Sequence, residues 1–154
     1  MAVTFVRMKP LLALIGLLLA VPALAQTADE TAAKAVITQM FDGMKRADST
    51  ALKSLFLPGA RLQSVVNKQG EVSVSDQAID RFITSVGKAK AGALDERLSG
   101  MEVKVDGDLA TVWTPYSFYY NGQQSHCGAN AFTLVRISGA WKIQHIIDTR
   151  RKCQ

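Results

Sequence analysis

The chain has little of what makes chemistry easy to recognise. Of 154 residues, two are histidine (His126, His145) and two are cysteine (Cys127, Cys153), with no Cys-x-x-Cys or His-x-x-x-His spacing. A metal site usually takes about three or four ligands, so neither a metal nor another cofactor is expected. His126 and Cys127 are neighbours, and adjacent strand residues point to opposite faces, which argues against a thiolate–imidazole pair. There is no repeat, low-complexity segment or interdomain linker. The one dense basic run, Arg150-Arg151-Lys152, lies at the C-terminal end and reads as a solvated tail, so nucleic acid is not an expected partner.

The N-terminal end is more informative. Arg7 and Lys9 precede an apolar run from Leu11 to Val21, which Pro22 breaks before the small-x-small site Ala23-Leu24-Ala25. The run is too short for a span of about 20 residues with flanks. Residues 1–25 therefore read as a secretory signal peptide, cleaved after Ala25 to leave one domain over 26–154. The alternative is an uncleaved membrane anchor. The expected location is periplasmic or secreted, without membrane attachment after cleavage. Of the formal charge of +5, Arg7 and Lys9 carry two, leaving +3 on the 129 residues that remain of 154. In an oxidising compartment Cys127 and Cys153 are available to pair; the alternative is one buried thiol and one exposed tail thiol.

Hydrophobic periodicity then separates two halves. Thr27 and Glu30 form a capping-box pattern ahead of the stripe Ala33, Val36, Ile37, Met40, Phe41, Met44, predicting a helix near 28–46. Asp48 is placed to cap a short second helix, ended by Pro58-Gly59. Residues 61–66 and 71–74 read as a small hairpin, and Ser75 as the cap of a third helix with the stripe Ile79, Phe82, Ile83, Val86. From there the period becomes two. Strands are expected over 98–105, 109–120, 125–137 and 140–149, with turns at Asp106-Gly107, Asn121-Gly122 and Ser138-Gly139. The fold class is α+β.

This order of elements resembles the nuclear-transport-factor-2-like superfamily, which includes ketosteroid isomerase, scytalone dehydratase and SnoaL-type polyketide cyclases. Local support comes from Met40 to Asp48, from Pro58 to Leu62 and from Gly139 to Ile143. Arg61 to Ser64, Val112 to Tyr116, Ser125 to Gly128 and Ile147 to Arg151 are similar to an exported bacterial branch labelled "putative lumazine-binding". The resemblance implies a cone: a curved antiparallel sheet wrapped around the N-terminal helices, an apolar pocket at the open end, and a homodimer formed through the sheet.

A two-residue turn at Ser138-Gly139 would set Asn130 opposite Ile147, Phe132 opposite His145 and Leu134 opposite Ile143. Trp141, Ile143, His145 and Ile147 then line the interior with Asn130 and Phe132, while Asp148 falls on the other face, paired with Arg150. A turn one residue longer sets Asn130 opposite Asp148 and sends Asp148 inward instead. Under the first register the pocket walls are Tyr116, Phe118, Phe132, Trp141, Ile143 and Ile147, and the polar orienting groups are Asn130, His145 and Arg61. Five aromatics fall between Trp113 and Tyr120, enough either to stack a planar ligand or to close a core.

Enzymes of the fold place a carboxylate or a His–Asp pair inside the cone. Here the inward stripes of the first and third helices carry no Asp, Glu, His or Tyr. The first reading is therefore an exported domain that binds a small apolar or aromatic molecule. The second is a proton-transfer enzyme acting on a small carbonyl compound, with His145 as base and Tyr116 as oxyanion donor. The third is a structural or protein-binding homodimer with no ligand.

Overall fold

A computed structural model of the protein describes residues 21–154. Most of the expected signal peptide lies outside the described residues; Val21 to Ala25 form the first turn of α1 (Val21–Arg46). Thr27, read as a cap, thus sits within the helix. The stripe is as expected: Ala33, Ile37, Met40, Phe41 and Met44 are all buried. The short helix α2 (Ser49–Leu55) begins where Asp48 accepts a hydrogen bond from the Ala51 amide at 2.9 Å. It stops before Pro58, because Phe56 already adopts extended backbone and opens β1 (Phe56–Lys68).

β1 turns at Gln69-Gly70, both with positive φ, into β2 (Glu71–Ala78). The hairpin is longer than the sequence suggested. Residues 75–78 pair with 61–64, so Ser75 belongs to the strand and α3 (Ile79–Gly87) starts after Ala78 without a side-chain cap. The expected strand over 98–105 is likewise two pieces, β3 (Leu94–Leu98) and β4 (Glu102–Asp106). Both pair with β5 (Leu109–Tyr120), one along each half of its length. β6 (Gln123–Ile137) and β7 (Ala140–Thr149) complete the meander.

The seven-stranded sheet runs β2-β1-β7-β6-β5-β3, with β4 beside β5. Its pairs are antiparallel except β1 with β7, which is parallel. The sheet is curved, and α1 packs on its concave side against β3, β4, β5 and β7. The core there joins the α1 stripe to Val112, Phe132, Leu134 and Ile143. Phe41 meets Phe132 edge to face at 6.0 Å and 88°. Each such side chain, removed from water, contributes roughly 1.5–3 kcal/mol.

The β6–β7 register corrects the first sequence reading. Ser138 and Gly139 do form a two-residue turn, both with positive φ, and Ile137 faces Ala140 while Leu134 faces Ile143. Then Gln144 is accommodated as an extra residue, and Thr133 faces His145. Beyond this β-bulge Phe132 faces Ile146 and Asn130 faces Asp148. One added residue exchanges the faces of everything downstream. His145 and Ile147 go to the outer face, and Ile146 and Asp148 come inside. The pairing that a longer turn would have produced arises from a bulge three pairs further on.

Candidate ligand-binding site

Beyond the bulge the same strands open onto a cavity of about 460 Å³. Met44 of α1, Phe82 and Val86 of α3, Leu94 of β3, and Phe118 and Tyr120 of β5 form its apolar wall. Glu96, Tyr116, His126, Asp148 and Arg150 supply its polar groups.

Strand pairing explains why these groups meet. Leu94, Glu96 and Leu98 alternate along β3 and face Tyr120, Phe118 and Tyr116. Across β5, Phe118 faces His126, Tyr116 faces Gly128, and Thr114 faces Asn130, which in turn faces Asp148. Two carboxyls, a phenol and a carboxamide therefore share the concave face. Asn130 Nδ2 donates to Glu96 Oε1 at 2.8 Å. The Tyr116 hydroxyl lies 3.0 Å from the Thr149 carbonyl and 3.2 Å from Asp148 Oδ2, so its one hydrogen is committed to these acceptors. Arg150 Nε donates to the same Asp148 oxygen at 2.9 Å. The other oxygen, Asp148 Oδ1, is buried and has no hydrogen-bond partner among the described residues.

Gly128 makes the Tyr116 contact possible. A Cβ there would run into the Thr149 carbonyl and come within 2.8 Å of the Tyr116 ring. A strand glycine of this kind marks a close backbone approach. The tail beyond β7 stays on β6: the Cys127 amide donates to the Arg151 carbonyl at 2.9 Å, the Arg151 amide returns the bond at 2.8 Å, and Cys127 is disulfide-bonded to Cys153. The residue between Thr149 and Arg151, Arg150, is thereby held at the pocket's edge.

The electrostatics follow from burial. Desolvation drives the Glu96 pKa up to about 7; the Asn130 hydrogen bond opposes the rise, the Asp148 charge adds to it and Arg150 counters it. Burial also raises Tyr116, aided by the negative charges of Asp148 and Glu96, so the phenol stays protonated. His126 is lowered by burial and then by Arg150, which favours the neutral ring. That ring is tilted against Phe118 at 5.0 Å and edge-on to Tyr116 at 5.7 Å, with Nδ1 3.1 Å from Ser125 Oγ.

The sequence signature of the family described as "Putative lumazine-binding" matches residues 28–145. The chain belongs to this family. Its fold is that of the nuclear-transport-factor-2-like superfamily. An NTF2-like protein with a cystatin-like fold from Novosphingobium aromaticivorans superposes with a TM-score of 0.68 at 14% identity, over 91% of this chain and 94% of that one. An NTF2-like protein of unknown function from Shewanella baltica gives 0.64 at 15% identity, covering 82% and 97%. A putative ketosteroid isomerase from Shewanella frigidimarina gives 0.57 at 15%, covering 76% and 94%. At these identities the likeness is one of fold. No protein of curated function matches the chain.

Of the residues singled out from this family member's sequence, Tyr116 and Phe118 line the cavity. Asn130 stands behind it, holding Glu96. Phe132, Trp141 and Ile143 are buried in the closed core instead, with Trp141 beneath the Arg136 guanidinium at 4.8 Å. Arg61, His145 and Ile147 belong to the outer face. Arg61 is exposed and paired with Asp76, and His145 Nε2 is 2.9 Å from Gln63 Oε1. The Asp148–Arg150 pair exists, but on the concave face, with Asp148 only 6% exposed. Glu96, His126 and Tyr120 were missed. For Glu96 a signal was there: the alternation Leu94-x-Glu96-x-Leu98 puts a carboxyl on an apolar strand face.

Proposed function

We propose that the protein binds a small, largely apolar or aromatic molecule in the cavity between α3 and the concave face of β3, β5, β6 and β7. The observation that carries this reading is the cavity itself, walled by aromatic and aliphatic side chains with a few convergent polar groups at one end, the ordinary make-up of a small-molecule site. It weighs against a collapsed, ligand-free core. Native mass spectrometry of the purified protein, followed by denaturation and identification of anything released, tests it. A retained small molecule supports the reading. An empty protein that also takes up no aromatic probe in a thermal-shift panel removes it.

One observation favours a second reading, proton transfer on a small carbonyl compound. Glu96 has a pKa near neutrality within an apolar wall, which is where a carboxyl serves best as acid or base. The pair first expected for this role does not assemble: His145 is outside, and the Tyr116 hydrogen is already committed. The test is exchange of the α-protons of 2-tetralone in D₂O. Exchange catalysed by the protein and lost in Glu96→Gln would establish turnover.

We also propose that the chain is exported and that copies pair through the outer face of the sheet. The leader features of residues 1–25 and a disulfide, which persists in oxidising compartments, support the first. The exposed Trp113 and Ile137 on the meander support the second. Fractionation of expressing cells and sedimentation of a Trp113→Asp variant check them.

A further inference from the structure

Donors and acceptors at the polar end of the cavity are unevenly supplied. The one hydrogen of Tyr116 is committed to Thr149 and Asp148, and Arg150 Nε is committed to Asp148. The cations belong to the rim: Lys88 is exposed and the Arg150 side chain is 53% exposed. What remains inside is the two carboxyls, against the His126 ring. Asp148 Oδ1 is buried, with its side chain 8% exposed, and has no hydrogen-bond partner among the described residues. Beside it on the same face stands the Glu96 carboxyl, one of whose oxygens already accepts from Asn130. Buried acceptors left without a donor are costly, and a second negative charge among them would be more so. A positive charge would instead find two carboxyls and the faces of Tyr116 and Phe118, to which cations are attracted.

We propose, resting on the small-molecule reading above, that this pocket selects aromatic molecules whose inner end carries nitrogen-borne hydrogens, as an amidine or protonated amine does, and turns away aromatic carboxylates. The ligand's N–H groups are directed at the Asp148 and Glu96 carboxyls, and its ring lies along Phe118 and Tyr120.

Three probes of one shape separate the possibilities: 2-naphthamidine, 2-naphthamide and 2-naphthoate, titrated into the purified protein by calorimetry at neutral pH. The amidine is expected to bind about tenfold or more tightly than the naphthoate, as charge-assisted hydrogen bonds imply, with the neutral amide between them. Asp148→Asn and Glu96→Gln should each weaken the amidine while leaving the amide within about twofold. The Glu96 variant keeps the test open if Asp148→Asn fails to fold through loss of its Tyr116 contact. Naphthoate binding as tightly as the amidine, and losing that affinity in Arg150→Ala, would show that the rim cations govern selection; it would overturn the proposal and leave the binding reading standing. Binding of none of the three would overturn both.

Discussion

Phe132 and Asn130 lie two residues apart on β6 and point to the same side of the sheet. Phe132 is 1% exposed and packs edge-on against Phe41 of the long helix. Asn130 is buried almost as deeply, yet spends its carboxamide holding a carboxyl on the strand two places across the sheet. The same strands thus build a dry, closed end near the Ser138-Gly139 turn and a polar, hollow end beyond the bulge. At the closed end, shape is everything, because apolar side chains need only fill space. At the hollow end, each polar group needs a partner, and one buried oxygen lacks one among the described residues.

Substitutions that act on one end alone test this division. The largest effect is expected from Phe132→Ala at the closed end, a loss of roughly 3–5 kcal/mol in denaturant unfolding through the cavity it leaves. Next comes Cys153→Ser. Releasing the tail should cost roughly 2–4 kcal/mol and free Arg150 from Asp148, so that probe binding changes along with stability; unchanged binding would mean that the tail plays no part in shaping the pocket.

Glu96→Gln should act in the opposite direction and through pH. The folded-state pKa of Glu96, about 7, lies above its ordinary value of 4.5, so between these values the folded protein holds more protons than the unfolded chain. Stability due to this group is therefore greatest below about pH 4.5 and declines as pH rises towards 7. Its neighbours in that window are Asp148, Arg150, Tyr116, His126 and, at the rim, Lys88. The glutamine should be the more stable at pH 8 by roughly 1–3 kcal/mol, seen as a flatter profile of melting temperature against pH. A parallel profile in both proteins would place the carboxyl in water.

The smallest effect is expected from His145→Ala. Loss of its half-exposed contact with Gln63 should cost about 0.5–1 kcal/mol and leave the affinity for 2-naphthamidine unchanged. A loss of binding would return His145 to the interior.

The closed end was legible because hydrophobic spacing, hairpin turns and an apolar alternation all act locally. The α1 stripe, the Asp48 cap and the strands 109–120 and 140–149 stand where periodicity puts them. The site was not legible in the same way. Tyr116 and Phe118 could be placed because they lie on a long strand of clear alternation. The alternation around Glu96 shows a carboxyl on an apolar strand face, but not its partner, because Asn130 lies 34 positions away in the chain. Asp148 and His145 were assigned to the wrong faces by the shorter register, since nothing in Trp141 to Thr149 announces an extra residue at Gln144. Arg61 goes to the outer face with His145, its partner on the neighbouring parallel strand.

Gln144 acts on its strand as an inserted letter acts on a reading frame. Upstream of it the message is an apolar wall and is read the same with or without it. Downstream, a regular ladder that paired Gln144 with Thr133 would send His145 and Ile147 into the cone and expel Asp148, exchanging one of the cavity's two carboxyls for an imidazole without replacing a single residue. Two linings of one cavity are therefore a single backbone bulge apart in the same sequence.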